Sequence, residues 1–191
     1  MNLEHTRIVI LSAPSGTGKT TIVRSLMERL PQLAFSISAT TRPPRVHETD
    51  GRDYHFLQEA DFRQRIEAGA FIEWEEVYPG RFYGTLWSEI DRIVAAAQVP
   101  IFDVDVYGGL NLKKRFGSAS LAVFLEPPTL EALSDRLRKR GTEDEIEIEL
   151  RLQKAVHELT YAHLFDLRIV NGNLESAIDQ VHGAINQFLA S

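Results

Sequence analysis

Four short, mostly apolar runs lie along the chain, separated by longer stretches in which apolar residues recur every three or four positions. The runs are Ile8 to Leu11, Ile101 to Val104, Leu121 to Leu125 and Leu167 to Val170. Such runs are typical of strands buried on both faces, and the intervening period is typical of amphipathic helices. The alternation predicts an α/β core with a parallel sheet and helices on both of its faces.

The first and last predicted helices have the most regular apolar stripes. The first comprises Ile22, Val23, Leu26, Met27 and Leu30, before Pro31, and the last comprises Leu174, Ile178, Val181, Ile185 and Phe188. Apolar residues at this spacing occupy one face of a helix, and proline closes a helix because it cannot continue the hydrogen-bond pattern. We expect both stripes to face the core.

Two stretches depart from this pattern. Between Phe35 and Trp87 the residues form short alternating pieces rich in glycine, proline and aromatics, which predicts a small, mostly β lobe. From Gly141 to Glu149 the chain is acidic and flanked by arginines, which predicts a lid. The interpretation is a single domain, 1–191, with a core at 1–35 and 91–191, the lobe at about 36–90 and the lid at about 138–152.

Composition narrows the class of protein. A chain of 191 residues that is 43% apolar is long enough to bury one core. A net charge of -6 argues against a general nucleic-acid or anionic-membrane binder, and the lack of cysteine excludes disulfides, thiolate metal sites and cysteine nucleophiles. Residues 1–6 do not resemble a signal segment, and no stretch approaches the roughly 20 apolar residues of a membrane span. We therefore expect a cytoplasmic protein with no nucleic-acid or membrane partner.

The segment after the first apolar run predicts a phosphate-binding loop. A strand that leads through glycines into a helix directs backbone N–H groups and the helix dipole at one point. Lys19 would reach the β- and γ-phosphates of ATP, and the Thr20 hydroxyl would hold Mg²⁺. Ala13 stands where the general pattern has glycine, and an ordinary turn would leave Lys19 and Thr20 unexplained. The predicted ATP-binding residues here are Ala13, Pro14, Ser15, Gly16, Thr17, Gly18, Lys19, Thr20 and Thr21.

Further motifs in the predicted lobe follow this loop in a fixed order. They are Ser38 to Arg45, Gly51 to Tyr54, Phe71 to Trp74, and Tyr83 to Thr85. Together with the loop, this order resembles the guanylate kinase family over nearly the whole chain. The resemblance implies a three-layer core of the P-loop NTPase type, an inserted α+β GMP-binding lobe, a helical lid, and Mg²⁺-dependent phosphoryl transfer from ATP to GMP.

A basic, proline-stiffened segment is the candidate for phosphate binding in the lobe. Arg42 and Arg45 flank two prolines, so two guanidinium groups can meet one phosphate at low entropic cost. Tyr54 and Tyr83 offer hydroxyl donors. The resemblance implies that these four residues clamp the GMP phosphate; the alternative is a solvated turn or a polyproline recognition segment.

Glu73 is the candidate for recognition of the base. A carboxylate accepts hydrogen bonds from both N1–H and the exocyclic amine of guanine, whereas adenine would leave it unpaired and desolvated. The resemblance adds Ser38 and Thr85 as hydroxyl contacts to guanine. Taken alone, Glu73 would be an ordinary surface carboxylate beside Trp74.

Two aspartates come at the end of the second apolar run, where doubly wound sheets hold ligands. Strand alternation predicts that Asp103 and Asp105 share a face. One could act on Mg²⁺ through water or orient Arg42 and the incoming GMP, and either could form a structural ion pair. The resemblance favours Asp105 as the residue nearer GMP, which leaves Asp103 as the candidate for Mg²⁺.

Three arginines flank the predicted lid. Arg136 lies on a helix predicted from Leu130 to Lys139, and Arg140, four residues on, directly follows it and would share its face. Arg151 follows the lid. The resemblance implies that they close over the ATP phosphates. It also implies that Asn171 lies near the adenine. The predicted catalytic residues are Lys19, Arg42, Arg136, Arg140 and Arg151.

Two alternatives to guanylate kinase activity stay open at this point. One is a non-catalytic module of the same fold that binds proteins; the intact Lys19 and Thr20 argue against it. The other is a P-loop kinase with another phosphorylated acceptor, such as a phosphorylated ribose, which would not need Glu73. The turn from Tyr78 to Arg81 is about one residue longer than usual in the family. The sequence determines neither the oligomeric state nor whether dGMP is accepted.

Overall fold

A computed structural model of the protein describes residues 6–140 and 144–191. Its strands, in chain order, are β1 (Ile8–Ser12), β2 (Leu33–Phe35), β3 (Ala39–Thr40), β4 (His55–Phe56), β5 (Phe71–Tyr78), β6 (Arg81–Leu86), β7 (Val99–Val104), β8 (Ser120–Glu126) and β9 (Leu167–Val170). The helices are α1 (Lys19–Arg29), α2 (Glu59–Glu67), α3 (Trp87–Ala95), α4 (Val106–Phe116), α5 (Leu130–Arg140), α6 (Glu145–Leu159) and α7 (Leu174–Ala190). Short 3-10 helices occupy Gly117–Ala119 and Ala162–Leu164.

The larger sheet confirms the predicted parallel core. Its strand order is β2-β7-β1-β8-β9, and each neighbouring pair is parallel. Along the central strand β1, Val9 and Leu11 face one side and Ile8 and Ile10 the other, all fully buried. The first side is covered by α1 and α7 and the second by α3 and α4, so the core has three layers. The sequence pattern missed β2, which at three residues is too short to stand out.

The smaller sheet lies between residues 39 and 86 and has the order β4-β3-β6-β5. Strands β3 and β4 are parallel, while β6 is antiparallel to both β3 and β5. Helix α2, which the pattern did not single out, inserts Phe62 between Phe71 and Phe82. The β5–β6 pairing shifts register near the turn, between Glu76 and Tyr78, and again between Phe71 and Glu73. Between the two shifts the register is constant, so the strand pairing of Tyr83 and Thr85 is regular.

Helices α5 and α6 pack against each other through a small apolar cluster of their own. Leu133, Leu137, Ile148 and Ala155 form it, and all four are buried. Asp144 caps α6 by accepting a hydrogen bond from the backbone N–H of Glu147 at 2.8 Å. Part of the predicted lid, residues 141–143, lies outside the described residues. Among the helices of residues 6–140 and 144–191, none is long and apolar enough to cross a membrane.

Candidate functional site

A cavity of about 690 Å³ lies at the carboxyl ends of β1 and β7, between the two sheets and α6. The predicted residues that line it are Ala13, Pro14, Ser15, Gly16, Gly18, Lys19, Thr20, Thr21, Ser38, Arg42, Arg45, Tyr54, Glu73, Tyr83, Asp103, Asp105, Arg136 and Arg151. Thr17, Thr85 and Asn171 do not line it, and the side chain of Arg140 lies outside the described residues. The cavity therefore brings most of the predicted ATP and GMP residues to one space.

The phosphate loop has a backbone that requires glycine at two positions. Gly16 has φ of 91° and Gly18 has φ of 98°, both in the left-handed region that side chains disfavour. A Cβ on Gly16 would also lie 2.9 Å from Cδ2 of Leu137. Gly18 is the N-cap of α1, so the loop delivers Lys19 and Thr20 to the first turn of a helix, where backbone N–H groups lack helical partners and can bind phosphate.

Side chains of Asn171 and Arg136 hold the phosphate loop through hydrogen bonds to backbone carbonyl groups. Asn171 is buried, and its Nδ2 donates to the carbonyl oxygen of Thr17 at 2.7 Å. Arg136 donates to the same carbonyl at 3.2 Å and to the carbonyl of Asn171 at 2.8 Å. Arg136 thus both lines the cavity and fastens the loop. Asn171 acts here as a support for the loop.

Lys19 and Thr20 meet at Asp103. The Nζ of Lys19 lies 2.5 Å from Oδ1 of Asp103, and the Thr20 hydroxyl donates to Oδ2 at 3.2 Å. Lys19 also donates to the carbonyl of Val104. The ion pair left open for Asp103 is therefore present, and it joins the two residues predicted to meet phosphate and metal.

Asp105 is placed differently from Asp103. Strand β7 ends at Val104, so the argument from strand alternation does not extend to Asp105, which caps α4 instead. Its Oδ1 accepts from the backbone N–H of Gly108 at 2.8 Å. Its Oδ2 is buried without a hydrogen-bond partner among the described residues. A buried acceptor that lines the cavity can accept a hydrogen bond from a ligand.

Glu73 lies in a tight pocket between β5 and α4. Its side chain is buried, and its Oε1 accepts from the Thr85 hydroxyl at 2.6 Å. A Cβ on Gly108 would lie 3.0 Å from the other oxygen, so this glycine lets the helix approach. Burial raises the pKa of Glu73 to about 7, with a further contribution from Asp105, although the Thr85 hydrogen bond opposes the rise. Thr85 is fully buried, so it orients Glu73 rather than facing the cavity.

The predicted phosphate clamp is held by a residue that the sequence analysis missed. Glu48 accepts from both terminal nitrogens of Arg42 at 2.6 Å and from the backbone N–H of Arg45 at 2.8 Å. The Arg42 guanidinium lies 4.9 Å from the ring centre of Tyr54, and the Tyr54 and Tyr83 rings are 6.2 Å apart. Burial raises the pKa of Tyr54 to about 12, so its hydroxyl remains a donor.

Helix α6 lines a further side of the cavity. Arg151 donates to the Ser15 hydroxyl at 2.7 Å, which connects this helix to the phosphate loop. Lys154 and Glu158 follow on the same side and also line the cavity, with Glu75 from β5. Sequence analysis named none of these three. The spacing from Arg151 could have revealed Lys154 and Glu158, because residues three and seven apart share a helix face, whereas no comparable pattern indicates Glu75.

Several known proteins are similar to this chain in sequence or in overall fold. The sequence profile of the family described as "Guanylate kinase" matches residues 5–188. A protein named guanylate kinase from Porphyromonas gingivalis is 51% identical over 186 residues, which are 97% of this chain and 99% of that protein. One of the same name from Bacteroides fragilis is 48% identical over 183 residues, 96% of this chain and 90% of that protein. The crystal structure of guanylate kinase from Anaplasma phagocytophilum has a TM-score of 0.77 at 26% identity, covering 96% of this chain and 86% of that one.

Proposed function

The chain belongs to the guanylate kinase family, and from that premise we propose that it transfers the γ-phosphoryl group of ATP to GMP, giving ADP and GDP. One observation carries the proposal: a single cavity joins a phosphate loop to a buried carboxylate suited to guanine. The two alternatives lack support. A binding module needs no Lys19 at the loop, and a phosphorylated sugar needs no Glu73.

The ATP phosphates bind at the loop. Backbone N–H groups at the start of α1 and the Lys19 ammonium supply positive charge, and Arg136 and Arg151 add more from α5 and α6. All three side chains line the cavity. Arg140 is assigned to this group by the family resemblance. Together these cations stabilise the charge that spreads over the equatorial oxygens of the transferred group.

The donor set beside the loop fits Mg²⁺. The Thr20 hydroxyl and the Asp103 carboxylate lie 3.2 Å apart, and both line the cavity. Mg²⁺ prefers oxygen ligands and is bound by one or two protein groups together with phosphates and water. Thr20 would hold the ion directly and Asp103 through water. When bound, Mg²⁺ neutralises phosphate charge.

GMP binds across the lobe. Arg42, Arg45, Tyr54 and Tyr83 hold its phosphate, while Glu73, Ser38 and Asp105 face the guanine and Thr85 orients Glu73. The second pKa of a phosphate monoester is about 6, so the attacking oxygen is largely ionised at neutral pH and no strong general base is required. Catalysis then rests on alignment and charge neutralisation, with closure of the lobe and lid excluding water that would hydrolyse ATP.

Location and partners follow from the substrates. ATP, GMP and Mg²⁺ are cytoplasmic small molecules, and we expect the protein to work there. The net charge of -6 supports action on free nucleotides rather than on nucleic acid.

The proposal is tested with an ADP-release assay in which Mg-ATP is combined separately with GMP, AMP, CMP or UMP. We expect turnover with GMP. In Glu73→Gln, kcat/KM for GMP should fall at least about 10²-fold, because the amide turns a donor towards the N1–H or amine of guanine. Glu67→Gln, an exposed change on α2, is the matched control. Turnover with another nucleotide would refute the assignment of the base pocket, and no turnover with any would favour the binding module.

A further inference from the structure

Two segments connect the core sheet to the smaller sheet, and a buried carboxylate lies where they meet. Residues 36–38 lead from β2 to β3, and the end of β6 leads directly into α3. Glu89 is in the first turn of α3 and is only 5% exposed. Neither the cavity nor the proposed chemistry includes it. A buried carboxylate with no part in binding substrate calls for another explanation, because burial of a charge is costly unless it is paired.

Glu89 is paired on both oxygens. Oε2 accepts from the backbone N–H of Ile37 at 3.0 Å and from Arg92 at 2.8 Å, and Oε1 lies 3.2 Å from Nε2 of His55. Arg92 also donates to the carbonyl of Phe35 at 3.0 Å, so the network reaches the last residue of β2. Burial alone would raise the pKa of Glu89, but the hydrogen bonds from Arg92, Ile37 and His55 outweigh it and lower the pKa. The carboxylate is therefore ionised at neutral pH.

The two lobe segments that Glu89 holds each carry a predicted GMP contact. Ile37 precedes Ser38, and His55 follows Tyr54. The segments are also joined to each other, since the backbone N–H of His55 donates to the carbonyl of Ser38 at 2.9 Å. The Glu89 carboxylate thus holds the residues next to Ser38, a predicted contact to the base, and next to Tyr54, a predicted contact to the phosphate. The phosphate loop is supported elsewhere, by Asn171 and Arg136.

From this geometry we infer that Glu89 is a positioning residue for the acceptor nucleotide. Its carboxylate holds the Ser38 and Tyr54 segments against the core in the arrangement that binds GMP, and it has no corresponding role at the ATP side. The inference rests on the proposed function, because it takes GMP to be the acceptor.

The test is the steady-state kinetics of Glu89→Gln. Glutamine keeps the volume, but its amide nitrogen cannot accept from Arg92 or His55, so the network loses at least one of its hydrogen bonds. We expect KM for GMP to rise about tenfold, equivalent to about 1.4 kcal/mol, with KM for ATP unchanged within about twofold. Asp91→Asn, an exposed carboxylate two residues along α3, is the matched control and should behave as wild type.

A second variant keeps the test decisive if Glu89→Gln does not fold. His55→Leu removes one contact to Glu89 and should raise KM for GMP in the same direction by a smaller factor. In the double variant the two effects should not add, since both act through one network.

Equal rises in both KM values, or a lower melting temperature with KM for GMP unchanged, would overturn the inference and leave Glu89 a purely structural residue. Wild-type protein that fails to use GMP in the same assay would refute the proposed function instead.

Discussion

The two halves of the cavity are built by different means. On the ATP side, the loop is shaped by two glycines and held from beneath by amide and guanidinium donors on its carbonyl groups. On the GMP side, carboxylates position several of the contacts: Glu48 pairs with Arg42, Glu73 accepts from Thr85, and Glu89 binds the segments of Ile37 and His55. The Lys19–Asp103 ion pair puts a carboxylate on the ATP side as well. Near neutral pH the difference comes from Glu73, whose pKa burial raises to about 7, whereas hydrogen bonds lower the pKa values of Glu48 and Glu89. GMP binding should therefore depend on pH near neutrality more strongly than ATP binding.

The largest effect should come from the one ammonium group at the loop that is placed to meet phosphate. Lys19→Ala should reduce kcat by about 10³-fold, because it removes the cation of the phosphate loop itself, and the remaining Arg136 and Arg151 approach the phosphates from α5 and α6. The protein should remain folded, because Lys19 lies at the cavity and not in the apolar core, and Asp103 keeps its hydrogen bond from Thr20. ADP release and a thermal melt would measure both. Lys114→Ala, at an exposed lysine of α4, is the control; near-normal turnover of Lys19→Ala would refute the role of Lys19.

A smaller effect, confined to the ATP side, should follow removal of the support beneath the loop. Asn171→Ala leaves a buried cavity and deprives the Thr17 carbonyl of its shorter hydrogen bond. We expect KM for ATP to rise about tenfold and KM for GMP to stay constant, the mirror image of Glu89→Gln. Exposed Asn186→Ala on α7 is the control. A rise confined to KM for GMP would contradict the division of the cavity into two separately supported halves.

The smallest effect should be a pH dependence that is stronger for GMP binding than for ATP binding. Because burial raises the pKa of Glu73 to about 7, the carboxylate is ionised above that pH and protonated below it, and only the ionised form accepts from both guanine donors. KM for GMP should be constant near pH 8 and rise about fourfold by pH 6.5, while KM for ATP changes less. Protonation should not weaken the fold over this interval, since a raised pKa means that the folded state takes up the proton more readily than the unfolded chain.

Two variants show which carboxylate causes the pH dependence of KM for GMP. Glu73→Gln should retain only the dependence due to the GMP phosphate, which titrates near pH 6. Glu75, also in the cavity, has its pKa raised to about 7, chiefly by burial, so Glu75→Gln must preserve the profile if Glu73 is responsible. If the pH dependence disappears in Glu75→Gln and persists in Glu73→Gln, the titrating group is Glu75 and the prediction for Glu73 is wrong.

Several features of the site could be predicted because they are local in sequence. The loop needs two glycines, a lysine and a threonine within five residues, and the structure places Gly16, Gly18, Lys19 and Thr20 as expected at the cavity. The parallel core also follows from local pattern, since each apolar run matches one strand. Helix α2 and strand β2 were missed because α2 buries only Phe62 and β2 is only three residues long.

The sequence by itself determined the family, the parallel character of the core, and the residue types that can meet two nucleotides. Tertiary structure alone decided which carboxylate holds which partner. Glu89 meets Ile37 across 52 positions of sequence, and Asn171 meets Thr17 across 154. Whether Asp103 pairs with Lys19 and Asp105 caps a helix depends on where β7 ends. Periodicity encodes burial, which is a property of one segment, whereas a hydrogen bond requires two segments to lie within about 3 Å, and only the packed fold sets that distance.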